Sequence, residues 1–169
     1  MEDRQTLQPE EKLMTDNIVF IEFYNKKNFP PGDWMREPDF VAWQAYGLSC
    51  LTIRDMKLGI WRGFVGVTKD HPAFSKTFLE MLGYEWGVNL NVHGGISVAG
   101  KLPIKYKELN KNTWWIGFEC GQGEDLLPLV KMDLTDPILS QIQGIQTYKN
   151  LKYVRKEVYD LAKQICRIK

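Results

Sequence analysis

The last twenty residues constrain the fold most. Leu151, Val154, Val158, Leu161, Ile165 and Ile168 recur at spacings of three and four, which winds them into one stripe of a helix. The lysines and arginines of the segment fall outside that stripe, and Asn150 stands where an N-cap is wanted. A helix of this kind draws most of its stability from burying its apolar stripe. The rest of the chain must therefore offer it a flat apolar surface.

Strands can supply that surface. Ile18-Val19-Phe20-Ile21-Glu22-Phe23-Tyr24 is β-branched and aromatic. Leu48 to Arg54 and Ile60 to Val67, joined by the turn-like Asp55-Met56-Lys57-Leu58-Gly59, read as an antiparallel hairpin. Gly63 and Gly66 inside its second strand point to a bulge or a close backbone approach. Trp114 to Cys120 is another strand, and Leu90 to Val98 reads as one interrupted by Gly94-Gly95. Pro30-Pro31-Gly32 marks a loop. Short helices are expected over Glu37–Trp43, entered through Pro38 and ended by Gly47, and over Phe74–Leu82, closed by Gly83. The connector from Gly100 to Asn112 and the stretch from Leu126 to Asp136 read as irregular. The fold class is α+β: a mainly antiparallel sheet packed by the C-terminal amphipathic helix and short helices. The expected organisation is a polar leader over residues 1–16 and one domain over 17–169.

A chain of 169 residues with 44% hydrophobic and 25% charged residues is an ordinary globular composition. The net charge of +1 argues against general nucleic-acid binding driven by phosphate neutralisation. Charge is nevertheless uneven. Residues 1–40 carry nine acids against five bases, and residues 149–169 carry seven bases against two acids. A solvated basic helix face and an anion- or partner-binding face both fit this pattern. Cys50, Cys120 and Cys166 form neither a disulfide framework nor a zinc knuckle, so a reducing, cytoplasmic setting is expected. No apolar run approaches the ~20 residues that span a bilayer, and Met1-Glu2-Asp3-Arg4 does not begin like a signal peptide.

Candidate chemistry gathers between Val92 and Asp125. His93 precedes Gly94-Gly95, whose backbone can approach a ligand closely or adopt positive φ. A bulged strand with a hydrogen-bonded histidine fits equally. Trp114 and Trp115 point to opposite faces of their strand, one into the core and the other toward a helix, a partner or a ligand. Indoles stack on nucleobases, although both can be structural. Glu119, Gln122, Glu124 and Asp125 cluster at the strand exit. His93 with Glu119 and Asp125 offers acid–base chemistry or ligands for a divalent metal. Arg54 and Arg62 flank the hairpin and are candidate anion contacts, or partners of acids across strands. His71, in Lys69-Asp70-His71-Pro72, reads as a loop residue. Cys120 lacks a second motif that would make it a nucleophile.

The ordered motifs Gly47-Leu48-Ser49-Cys50, Gly63-Phe64-Val65-Gly66-Val67, Asp70-His71-Pro72, Val92-His93-Gly94-Gly95-Ile96-Ser97, Trp114-Trp115-Ile116-Gly117-Phe118-Glu119-Cys120 and Tyr153-Val154-Arg155-Lys156-Glu157-Val158 resemble a family of small uncharacterised proteins of bacteriophages, prophages and bacteria. The match runs from about Glu37 to the C-terminus. Where that family carries Asp, His and Asp, this chain has Glu119, Gln122 and Asp125. Glutamine can hydrogen-bond but cannot exchange a proton near neutral pH, which favours binding over hydrolysis.

The resemblance implies a phage-type accessory protein, acting in the host cytoplasm if phage-encoded. The leading expectation is a homo-oligomer that binds a small anionic or nucleotide-like ligand, in a counter-defence role that sequesters a host immune signalling nucleotide. The expected pocket comprises His93, Gly94, Gly95, Trp114, Trp115, Glu119, Gln122 and Asp125, with Arg54 and Arg62 as anion contacts. No cofactor is required, though a divalent metal is an open alternative. One alternative is a phosphoester or glycosidic hydrolase using His93, Glu119 and Asp125. Another is a protein-interaction module without a ligand.

Overall fold

The computed structural model describes residues 18–82 and 89–169. The leader and the helix-ending Gly83 lie outside the described residues. Six strands form one antiparallel sheet in the order β1-β2-β3-β4-β6-β5. They are β1 (Ile18–Glu22), β2 (Phe40–Ala45), β3 (Leu48–Arg54), β4 (Trp61–Val67), β5 (Val98–Gly100) and β6 (Trp114–Glu119). The α-helices are α1 (Phe78–Leu82), α2 (Lys107–Asn110), α3 (Pro137–Ile145) and α4 (Leu151–Ile165). The architecture is α+β, with the C-terminal helix laid on the sheet as its stripe demands.

Alternate side chains of the sheet enter two cores. On one face Val41, Trp43, Cys50, Val65, Ile116 and Phe118 pack beneath Val154, Val158, Leu161 and Ile165 of α4. On the other, Phe40, Ala42, Leu51, Phe64 and Trp115 are covered by Leu102, Ile104, Tyr106 and Leu109 of the 101–113 connector. That connector contains α2, a turn of helix that was not expected there.

Covering both faces explains the largest correction. Glu37 to Trp43 is not a helix: Phe40 to Ala45 forms β2, between β1 and β3. Phe40, Val41, Ala42 and Trp43 are all buried. A strand buried on both faces has no polar alternation to betray it. Leu90 to Val98 is likewise not a strand. Residues 89–97 form a loop with a turn at Gly94-Gly95, and only Val98–Gly100 pairs with β6.

The hairpin β3–β4 forms in unbroken register, from Ser49 opposite Gly66 to Arg54 opposite Trp61. Of the two readings of Gly63, close approach holds. A Cβ there would lie 2.5 Å from Cγ2 of Val158, so this glycine lets α4 settle onto the sheet.

Side chains cap both ends of α4. Asn150 accepts from the Tyr153 N–H at 2.9 Å, and Glu37 accepts from the Leu151 N–H at 2.7 Å. At the far end His71 Nδ1 accepts from the Ala73 N–H, so its Nε2–H donates to the Ile165 carbonyl at 3.1 Å. His71 is thus a loop residue that clamps the helix.

The stretch 126–136 is irregular, but α3 follows it and was not expected. Asp136 caps it and Pro137 opens it, a pairing with a clear physical basis. None of its residues is buried, and Ile138 is 69% exposed. The excursion is closed at its base, where Thr147 donates to the Glu124 carbonyl and accepts from the Leu126 N–H. Among the described residues no helix is long and apolar enough to cross a membrane.

Candidate functional site

At one end of the sheet, the 89–97 loop meets the exit of β6 and one edge of α4. Three residues of that edge hold the loop. Gln164 exchanges two hydrogen bonds with the backbone of Asn91, at 2.8 and 2.7 Å. Glu157 accepts from the His93 N–H at 2.8 Å, and the Tyr153 hydroxyl meets His93 Nδ1 at 2.9 Å. Gly94 and Gly95 turn the chain with φ of 65° and 81°, conformations that glycine adopts without a steric cost. The Gly94 Cα faces the Gln122 side chain, which a Cβ would meet at 3.1 Å.

The other ring nitrogen of His93, Nε2, lies 2.7 Å from Asp125 Oδ2. Asp125 is only 3% exposed. The same oxygen accepts from the Gln122 N–H, and Lys149 Nζ stands 3.7 Å from Oδ1. An acceptor-only carboxylate fixes the tautomer: Nε2 carries a hydrogen, leaving Nδ1 to accept from the Tyr153 hydroxyl. On protonation Nδ1–H would donate, and the tyrosine oxygen would turn to accept. Tyr153 can follow either state without moving a heavy atom. Its phenol keeps its proton, because burial first, and then the negative charge of Glu157, raise its pKa.

Of the predicted residues, the structure brings together His93, Gly94, Gln122 and Asp125, with Gly95 beside them on an open turn. It places the others elsewhere. Glu119 points to the opposite sheet face, toward Arg62 Nε at 3.5 Å, and Arg62 also holds Asp55 at 2.7 Å. Trp115 is sealed in the second core and donates to Asn110 at 3.0 Å. Trp114 shares the α4 face but lies at the far end of β6, about 17 Å along the strand, donating to the Lys76 carbonyl. Neither indole lines the His93 cluster.

Arg54 is no anion contact. It is buried beneath α4, where it pairs with Asp39 and Glu37 and donates to the Gly59 carbonyl and the Tyr148 hydroxyl. Cys120 is not placed as a nucleophile either. Burial, reinforced by Asp125 and Glu157, pushes its thiol well above the usual range. Among the described residues, no three His, Cys, Asp or Glu side chains come together to hold a metal ion.

Tyr153, Glu157 and Lys149 were missed as site residues. Tyr153 and Glu157 lie four apart beside the apolar stripe, so their shared edge was visible in the sequence. The loop that this edge would face was not. A small cleft at the opposite end of the sheet gathers Ser49, Thr68, Asp70, His71 and Thr113, but its histidine is committed to α4. Comparison with protein-family models, curated proteins and solved structures finds no match.

Proposed function

We propose that this chain binds a small anionic, nucleotide-like ligand at the His93–Asp125–Tyr153 end of the sheet. One observation carries the reading: a part-exposed aromatic ring with an ammonium group over it stands beside a polar cluster. Tyr153 is 37% exposed, and Lys149 Nζ lies 5.5 Å from its ring centroid. A base can stack on such a ring, and the lysine can meet a phosphate. His93 and Gln122 would supply hydrogen bonds that fix orientation. In the setting that the resemblance implies, the ligand is a host signalling nucleotide and the action is sequestration.

Calorimetry against cyclic dinucleotides and ADP-ribose derivatives tests this reading. Binding that is lost in His93→Ala and weakened in Tyr153→Leu is the expected result. Absence of heat across the panel would sink it.

The Asp125–His93 hydrogen bond also supports a second reading, hydrolysis, because an oriented imidazole can move a proton. With Glu119 on the other face, that reading narrows to His93, Asp125 and Tyr153. Recovery of the ligand after denaturing the complex separates the two, an intact nucleotide favouring sequestration and a fragment favouring the enzyme.

A further inference from the structure

On the other flank of α4, away from His93, three buried N–H donors have no acceptor among the described residues. Arg155 is 9% exposed and Trp43 is 2% exposed. Arg155 Nε and Nη2 and Trp43 Nε1 are all buried without a hydrogen-bond partner. The guanidinium carbon lies 4.9 Å from the centre of the Trp43 ring, so the guanidinium rests against the indole. Nε and Nη2 form the side-on edge of the guanidinium, the edge that grips a carboxylate with two parallel hydrogen bonds.

Carboxylates on the approach to β2 and on α4 are engaged elsewhere. Asp39 and Glu37 hold Arg54, Glu157 holds the His93 N–H, and Asp160 holds Lys156. Burial lowers the Arg155 pKa, and no carboxylate opposes that effect. A buried cation with an idle bidentate edge carries a substantial desolvation cost, which one acceptor of matching charge would offset.

We propose that the idle edge of Arg155, resting against Trp43, is a seat for a small carboxylate, of the size of formate or acetate, held side-on by the guanidinium. A single buried cation balances one negative charge. A phosphate dianion would leave both charge and oxygen atoms unmatched there. The donors are enclosed, so the seat admits a small anion rather than a chain end. It is separate from the nucleotide-like reading and does not depend on it.

The test follows the indole N–H resonances of ¹⁵N-labelled protein during titration with sodium formate or acetate. Sodium chloride and phosphate at matched ionic strength serve as controls. One indole resonance, absent in Trp43→Phe, should shift saturably with the carboxylates alone, and the melting temperature should rise. Arg155→Lys keeps the charge but loses the fork, and should weaken the effect roughly tenfold or more. Arg155→Met should abolish it while melting no lower than the parent when carboxylate is absent. The proposal is overturned if no saturable shift occurs, or if chloride and phosphate shift the resonance equally. It also fails if Arg155→Lys binds as the parent does. If Arg155→Met does not fold, the Arg155→Lys titration decides alone.

Discussion

Two arginines are buried, one at the end of β3 and one on α4, and each stacks on a tryptophan. Arg54 lies 4.2 Å from the Trp61 ring centre, and Arg155 lies 4.9 Å from that of Trp43. Arg54 has Asp39, Glu37, Gly59 and Tyr148 around its guanidinium. Glu37 in turn accepts from Trp61 and from the first N–H of α4. Arg155 keeps the same aromatic support but lacks acceptors on its Nε–Nη2 edge. Stacking therefore does not distinguish architecture from binding; the matching of donors to acceptors does. A saturated buried charge fastens elements together, whereas an unsaturated one marks a place where a further group belongs.

The largest effect should come from breaking the saturated partner. Arg54→Met leaves Asp39 and Glu37 buried beside too few cations. Removing one member of such a network costs about 3–5 kcal/mol. The lower end is expected, because Lys26 still lies 2.9 Å from Asp39. Chemical denaturation measures it. A loss below about 1 kcal/mol would place Arg54 with the exposed ion pairs and remove the contrast with Arg155.

A second substitution tests how α4 rests on the sheet. Gly63→Ala would drive a methyl into Val158 and lift α4 from the sheet, at a cost of about 1–3 kcal/mol. Adding Val158→Ala should remove the clash, so that the double variant loses less than the sum of the two single losses. Strict additivity would mean that the helix does not rest on this contact.

Much of this arrangement was legible in the sequence, and the exceptions have physical causes. The α4 stripe and the β3–β4 hairpin could be read because each shows one buried and one contrasting face, or a local turn. The β2 strand could not, since Glu37-Pro38 resembles a helix entry and Phe40 and Trp43 share helical spacing. Only the cover on both sheet faces, made by elements 60 or more residues away, turns that run into a strand. Gln122 and Asp125 were found together because they lie close along the chain, and His93, 32 residues before Asp125, because Gly94-Gly95 marks it. Arg54 was misjudged because its partners Glu37 and Tyr148 are separated by 111 residues. Arg155 gave no signal at all: in the sequence it is one of four basic residues on a helix that should wear them outside.

A smaller effect concerns the end of α4 farthest from Arg54. His71→Ala removes the Nε2–H donor from the Ile165 carbonyl, a loss of about 1 kcal/mol. Hydrogen exchange should quicken over residues 163–168 and stay unchanged around Leu151, where Glu37 holds the first turn. Equal loosening at both ends would show that α4 docks as one indivisible unit.

The smallest effect tests the surroundings of Arg155 through Cys50, which lies opposite Trp43 across the β2–β3 pair. Burial lifts the Cys50 thiol from 9.0 to about 12, against downward pulls from a backbone hydrogen bond at Ala45 and then from the Arg155 charge. A thiol reagent near neutral pH should therefore modify only the exposed Cys166 in the native protein, and all three cysteines after denaturation. Because the folded state raises this pKa, the protonated thiol contributes stability that is full below pH 9 and declines as the pH climbs toward 12. Arg155→Met removes the one charge that favours the thiolate and should leave Cys50 no more reactive than before. Faster labelling of Cys50 in that variant would show that Arg155 acts chiefly as a plug over the β2–β3 pair, with its charge incidental. Its idle donors would then reflect packing rather than a seat.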